Sequence, residues 1–100
     1  MIANLPLGGD GNDTIFGNIG DDRLEGNAGN DRILGGPDAD VILGGEGNDF
    51  IAAGEGDDEV EGGDGNDRIL GISGENDLDG GNGDDFIRGG DGRRTSQRTL

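Results

Sequence analysis

A chain of 100 residues with three Phe, no Trp, no Tyr and 28% hydrophobic content lacks the material for an ordinary globular core, and a formal net charge of −16 by itself favours an expanded polymer. That charge excludes nucleic acid and insertion into or docking on an anionic membrane, both of which call for basic surface. With no Cys and no His, disulfides and soft-ligand metal sites are excluded too, and any bound metal must be a hard cation taking oxygen ligands.

Residues 1–7 carry no basic n-region and no apolar run of signal-peptide or membrane-helix length. Ile2, Leu5 and Leu7 make this segment a small N-terminal cap. From Gly8 the sequence stacks in lines of nine, with no insertion or deletion through residue 97. Gly8 Gly9 Asp10 Gly11 Asn12 Asp13 Thr14 Ile15 Phe16 sets the pattern. Gly fills the first and fourth positions in nine lines of ten and the second in seven, which accounts for all 25 glycines; Asp fills the sixth in eight lines, and Ile, Leu or Val the eighth in nine. A fixed short period of this kind is the mark of a solenoid.

Within each line, positions one to six hold residues that tolerate tight turning, so they read as a loop. Positions seven to nine read as a short strand whose middle residue faces inward: Ile15, Leu24, Ile33, Ile42, Ile51, Val60, Ile69, Leu78, Ile87. Helix is excluded by the recurrent Gly. Because a six-residue loop reverses the chain, two lines close one 18-residue turn and alternate lines lie above one another. The expected fold is all-β: a right-handed parallel β-roll of about five turns with two facing parallel sheets of short strands, occupying residues 8–92. Residues 93–100 abandon the pattern, reverse the charge and form an atypical tail.

Stacking places the position-six carboxylates in two ladders, Asp13, Asp31, Asp49, Asp67 and Asp85 on one edge and Asp22, Asp40 and Asp58 on the other. Nothing basic within the repeats neutralises each rung. Ca2+ answers this, since it accepts six to eight hard oxygens in forgiving geometry and mixes carboxylates with backbone carbonyls. Mg2+ would demand a stricter octahedron and retain water.

The repeated Gly-Gly-x-Gly-x-Asp-x-U-x, with U a large aliphatic, resembles the calcium-binding nonapeptide of RTX proteins, and the resemblance spans residues 8–92. It implies that each ion sits between two stacked loops: the lower gives the carbonyls of positions two and four, the upper those of positions one and three, and both give an Asp. On the first edge this assigns Gly9, Gly11 and Asp13 with Gly26, Ala28 and Asp31, followed by Asn27, Gly29 and Asp31 with Gly44, Glu46 and Asp49. Gly45, Gly47 and Asp49 with Gly62, Asp64 and Asp67 come next, and Gly63, Gly65 and Asp67 with Gly80, Asn82 and Asp85 complete that edge. On the second edge Asn18, Gly20 and Asp22 pair with Gly35, Pro37 and Asp40, and Gly36, Asp38 and Asp40 with Ala53, Glu55 and Asp58. The next gap, where Gly54, Gly56 and Asp58 would form the lower half, meets Asn76 instead of Asp. The last meets Arg94. Six firm ions, a weaker seventh and a vacant eighth position are therefore expected, within a range of six to eight Ca2+ per chain.

The Asn column at position five, Asn12, Asn30, Asn48 and Asn66, reads as turn chemistry or a hydrogen-bonded ladder. Outward strand positions differ between the sheets. One displays Phe16, Leu34, Phe50, Leu70 and Phe86, a surface suited to self-association or to a neighbouring domain; the other displays Glu59, Glu61, Asp77 and Asp79. Having no His, Cys, Lys or Tyr and only Ser73 and Ser96 as hydroxyl nucleophiles of that type, the chain is not expected to be an enzyme. The resemblance implies a secreted or cell-surface bacterial module that folds on meeting extracellular Ca2+ and supports type I secretion of its host protein. The alternative is a calcium-stiffened spacer of an adhesin or surface-layer protein.

Overall fold

The computed structural model describes residues 11–89 and a strand at 96–98. The N-terminal cap segment 1–7, Gly9 and Arg94 lie outside the described residues. Every described element is a three-residue strand, joined to the next by a six-residue loop as far as the ninth: β1 (Thr14–Phe16), β2 (Arg23–Glu25), β3 (Arg32–Leu34), β4 (Val41–Leu43), β5 (Phe50–Ala52), β6 (Glu59–Glu61), β7 (Arg68–Leu70), β8 (Asp77–Asp79), β9 (Phe86–Arg88) and β10 (Ser96–Arg98). There is no helix among them.

Odd and even strands segregate into two five-stranded sheets, β1-β3-β5-β7-β9 and β2-β4-β6-β8-β10, parallel throughout. This is the expected solenoid of 18-residue turns. From β1 to β9 each strand pairs with the residue 18 further on, Ile15 with Ile33 and Ile33 with Ile51. The ladder runs past the strand ends, as Arg32 N–H donates to the Asp13 carbonyl at 2.8 Å and Gly17 N–H to the Leu34 carbonyl at 2.8 Å. In this way a very short strand gains enough cross-coil hydrogen bonding to hold its register.

β10 departs from the phase. Gln97, not Ser96, sits opposite Leu78, so one residue has slipped relative to the lines of nine. The tail has neither an Asp at position six nor an aliphatic residue at position eight (Arg94 and Ser96), so the two side chains that fix the phase elsewhere are missing.

The core is a single file of side chains between the sheets. Ile15, Leu24, Ile33, Ile42, Ile51, Val60, Ile69 and Leu78 are buried together with Ala53, and Ile87 packs partly buried at the end. One aliphatic residue per line cannot by itself offset the ordering entropy of nine, several of them Gly. The loops have to contribute, and the carboxylates are there.

Candidate metal centre

Each loop turns through positive φ at its glycines, for instance Gly45 at 91° and Gly47 at 106°. The same turn tucks the position-six side chain under the coil. Asp22, Asp31, Asp40, Asp49, Asp58 and Asp67 are all buried, between 1% and 3% exposed, while Asp13 and Asp85, at the ends of the first-edge ladder, are half-buried.

The two oxygens of each carboxylate have different fates. Oδ1 accepts the backbone N–H of the Asp one coil below: Asp13 donates to Asp31 at 2.9 Å, Asp31 to Asp49 at 2.8 Å and Asp49 to Asp67 at 2.8 Å, with Asp22 to Asp40 at 2.9 Å and Asp40 to Asp58 at 2.8 Å on the other edge. Oδ2 of Asp13, Asp31, Asp40, Asp49, Asp58 and Asp67 is buried with no hydrogen-bond partner. A buried charged oxygen without a partner is costly, and a regular row of them is a defect unless a cation fills it.

Carbonyl oxygens complete the surroundings. A methyl group built on the position-one Gly26 would lie 2.5 Å from Asp31 Oδ2 and 2.7 Å from the Gly44 carbonyl of the next coil; at Gly44 it would lie 2.8 Å from Asp49 Oδ2 and 2.6 Å from the Gly62 carbonyl. Position one is Gly in every described line but that of Ala53, because the space beside its Cα is bounded by oxygens from two coils. At Gly45 and Gly63 an added methyl would meet the position-two carbonyls of Asn27 and Gly45, which are therefore directed at the coil above. Among the described residues no three acidic side chains converge on one point. Each described gap except Asp58–Asn76 offers two carboxylates and a set of carbonyls, a donor set of hard oxygens that suits Ca2+ and gives softer metals no ligand.

Without a cation, burial pushes these carboxyls upward. Loss of solvent is the main cause, and the neighbouring carboxylates of the ladder add to it, against the lowering effect of the backbone N–H donors: Asp49 and Asp58 reach about 7, Asp40 and Asp67 about 6, and Asp31 is also raised.

Those of the sequence-predicted residues that are described thus lie in two edge rows. The Asn column is a hydrogen-bonded ladder, in which Asn30 N–H donates to Asn12 Oδ1 at 2.8 Å, Asn48 to Asn30 at 2.7 Å and Asn66 to Asn48 at 2.8 Å. On the second edge Asp21 Oδ1 accepts the Ala39 N–H at 3.1 Å and Asp57 Oδ1 the Glu75 N–H at 2.9 Å. Spacing alone did not single out this second-edge ladder, since Asp, Ala and Glu share its position. On the outer face Arg32 lies over the Phe50 ring and Arg68 over the Phe86 ring, each at 5.4 Å, so the apolar stripe is partly capped by guanidinium groups. A shallow depression of about 370 Å³ there is lined by Arg68, Leu70, Ile72, Phe86 and Arg88.

A parallel two-sheet solenoid with carboxylate-and-carbonyl gaps repeated at every coil defines a class: repeat proteins that stack around hard cations. The chain belongs to the RTX calcium-binding nonapeptide repeat family, whose model (4 copies) matches residues 7–42, 34–69 and 70–93. No curated protein and no solved structure matches it. The family is a structural calcium-binding module rather than a catalytic one, and its repeats occur in secreted bacterial proteins. No helix among the described residues is long and apolar enough to cross a membrane.

Proposed function

We propose that this chain is a calcium-gated folding module of a bacterial protein exported by a type I system, non-catalytic itself, with residues 8–92 as the roll. The supporting observation is the row of buried, unpartnered Oδ2 atoms. In the calcium-poor cytoplasm those carboxylates oppose folding and keep the chain extended, as export requires. Outside, the ions bring the carboxylates and loop carbonyls together, so binding free energy becomes folding free energy.

Six gaps have carboxylates on both sides: Asp13/Asp31, Asp31/Asp49, Asp49/Asp67 and Asp67/Asp85 on the first edge, Asp22/Asp40 and Asp40/Asp58 on the second. The carbonyl donors are those of positions two and four below and one and three above. Six divalent ions would carry +12 against the formal −16, leaving −4. The outward face of the odd-numbered sheet, with Phe16 and Phe86 each more than half exposed, is where a second copy or a neighbouring domain would dock. Calorimetric titration of the metal-free chain with CaCl2 tests this reading. About six ions per chain, taken up together with a gain of β-structure, is the expected result; one or two ions, or uptake with no structural change, would contradict it.

A further inference from the structure

The second edge has one loop unlike the rest. In the line Gly71 Ile72 Ser73 Gly74 Glu75 Asn76, the buried position-six residue is Asn, 2% exposed. Its orientation is fixed, because Oδ1 accepts the Asp58 N–H at 2.9 Å, as the Oδ1 atoms of Asp31, Asp40, Asp49, Asp58 and Asp67 do from the coil below, and an N–H can face only the oxygen end of an amide. Nδ2 therefore stands where the unpartnered Oδ2 stands in the other loops. A methyl on Gly71 would lie 2.7 Å from Asn76 Nδ2 and 2.8 Å from the Gly89 carbonyl, the counterpart of 2.8 Å from Asp40 Oδ2 and 2.5 Å from the Ala53 carbonyl at Gly35.

From that position Nδ2 donates to two backbone carbonyls of its own loop, Gly71 at 3.3 Å and Ser73 at 3.2 Å. These are positions one and three, the upper-loop carbonyls that a cation in the gap would need. The Ser73 N–H donates to the same Gly71 carbonyl at 3.0 Å and reaches the lower-loop Gly54 carbonyl only at 3.5 Å. In the same gap position one of the lower loop is Ala53, fully buried, where every other described line has Gly. At the glycines of that column a methyl would project between the carboxylate and the next coil's carbonyl.

We infer that the Asp58–Asn76 gap takes no cation: the Asn76 amide engages the Gly71 and Ser73 carbonyls that the ion would need, and the Ala53 methyl occupies space that the ion would use. The sequence pattern had left this gap to a weaker seventh ion. Across this gap the coils are held by the Asp58 N–H to Asn76 Oδ1 bond, of the kind the other coils make, with no ion added. This inference rests on the calcium reading of the other gaps.

Its test is to restore the motif with the double substitution Ala53→Gly and Asn76→Asp, and to count ions by native mass spectrometry and calorimetry on the full chain in calcium, with circular dichroism to check folding. The double variant is expected to bind one ion more than the unaltered chain. Asn76→Ala is expected to bind the same number as the unaltered chain and to melt at a lower temperature, since it loses the acceptor for the Asp58 N–H and the two loop hydrogen bonds but no ligand. An unchanged count in the double variant, its failure to fold in calcium, or the loss of one ion in Asn76→Ala would each overturn the inference. An unaltered chain that binds no calcium would instead sink the function proposed above.

Discussion

Asp49 sits mid-ladder, shared by the gaps towards Asp31 and Asp67, and Asp49→Asn should act with opposite signs in the presence and absence of calcium. In the metal-free roll its Oδ1 accepts the Asp31 N–H at 2.8 Å, its Oδ2 is buried without a partner, and its carboxyl is raised from 3.8 to about 7. At about 1.4 kcal/mol for each tenfold in proton affinity, a carboxyl so displaced opposes folding at neutral pH by a few kcal/mol, part of which solvent screening returns. An Asn there keeps the Oδ1 acceptor and turns its amide towards the Gly44 and Glu46 carbonyls, as Asn76 does towards Gly71 and Ser73, adding about 1 kcal/mol. The metal-free roll should gain about 2 kcal/mol in all. With calcium present, two gaps lose a carboxylate, and each ion should weaken by tenfold or more, about 1.4 kcal/mol apiece. The assay is circular dichroism in two series: a sucrose titration in chelator, where excluded osmolyte favours the compact state, and thermal melts in millimolar CaCl2. The variant should need less sucrose than the parent to reach half-folding, yet melt lower in calcium. A shift of the same sign in both series would refute the reasoning, because the carboxylate would then be doing something other than waiting for a cation.

Raised carboxyls also set the pH dependence. The folded metal-free roll holds protons on Asp40, Asp49, Asp58 and Asp67 up to about 6 or 7, whereas the unfolded chain releases them near 4, so folded stability is greatest below about 4 and falls as pH rises towards 7. Ellipticity in chelator should therefore increase on acidification, while calcium affinity rises with pH over the same window because ions displace protons; flat profiles would count against buried carboxylates. Ile72 adopts φ 71° while 49% exposed, a conformation that L residues enter at a cost of about 1–2 kcal/mol and that β-branched residues avoid. Ile72→Asn, matching Asn18 at 67° and Asn27 at 68°, should raise stability in calcium by about 1 kcal/mol, read from denaturant midpoints. For the outer face, sedimentation in calcium should show concentration-dependent association that Phe16→Glu and Phe86→Glu abolish; a monomer at every concentration would leave that face without a second copy as partner.

The period carried most of the architecture. Strand length, the alternation of the two sheets and the inward residues from Ile15 to Leu78 follow from one aliphatic residue every nine, because a parallel stack puts equivalent positions above each other. The Asp rows were legible for the same reason. Spacing could not assign the two oxygens of each carboxylate, since that depends on which one meets the N–H of the coil below. Nor could it show that Asn76 presents a donor where Asp31 or Asp49 presents an acceptor; in sequence it is a one-atom change, and its effect appears only beside the Gly71 and Ser73 carbonyls. The phase slip at β10 is not legible in the nine-residue period because the tail, with Arg94 and Ser96 at positions six and eight, lacks the Asp and the aliphatic residue that enforce it elsewhere. Capping of the Phe50 and Phe86 rings by Arg32 and Arg68 follows from the 18-residue register, which sets each Arg directly opposite its Phe on the adjoining strand.

Heteronuclear NMR of the isotope-labelled chain at neutral pH, recorded first in chelator and then in millimolar calcium, bears most directly on the idea that the roll stands only with cations in its gaps. The account predicts collapsed, random-coil amide dispersion in chelator and a fully dispersed β spectrum after calcium, reversible on chelation. A dispersed β spectrum in chelator at neutral pH, unchanged by calcium, would contradict it.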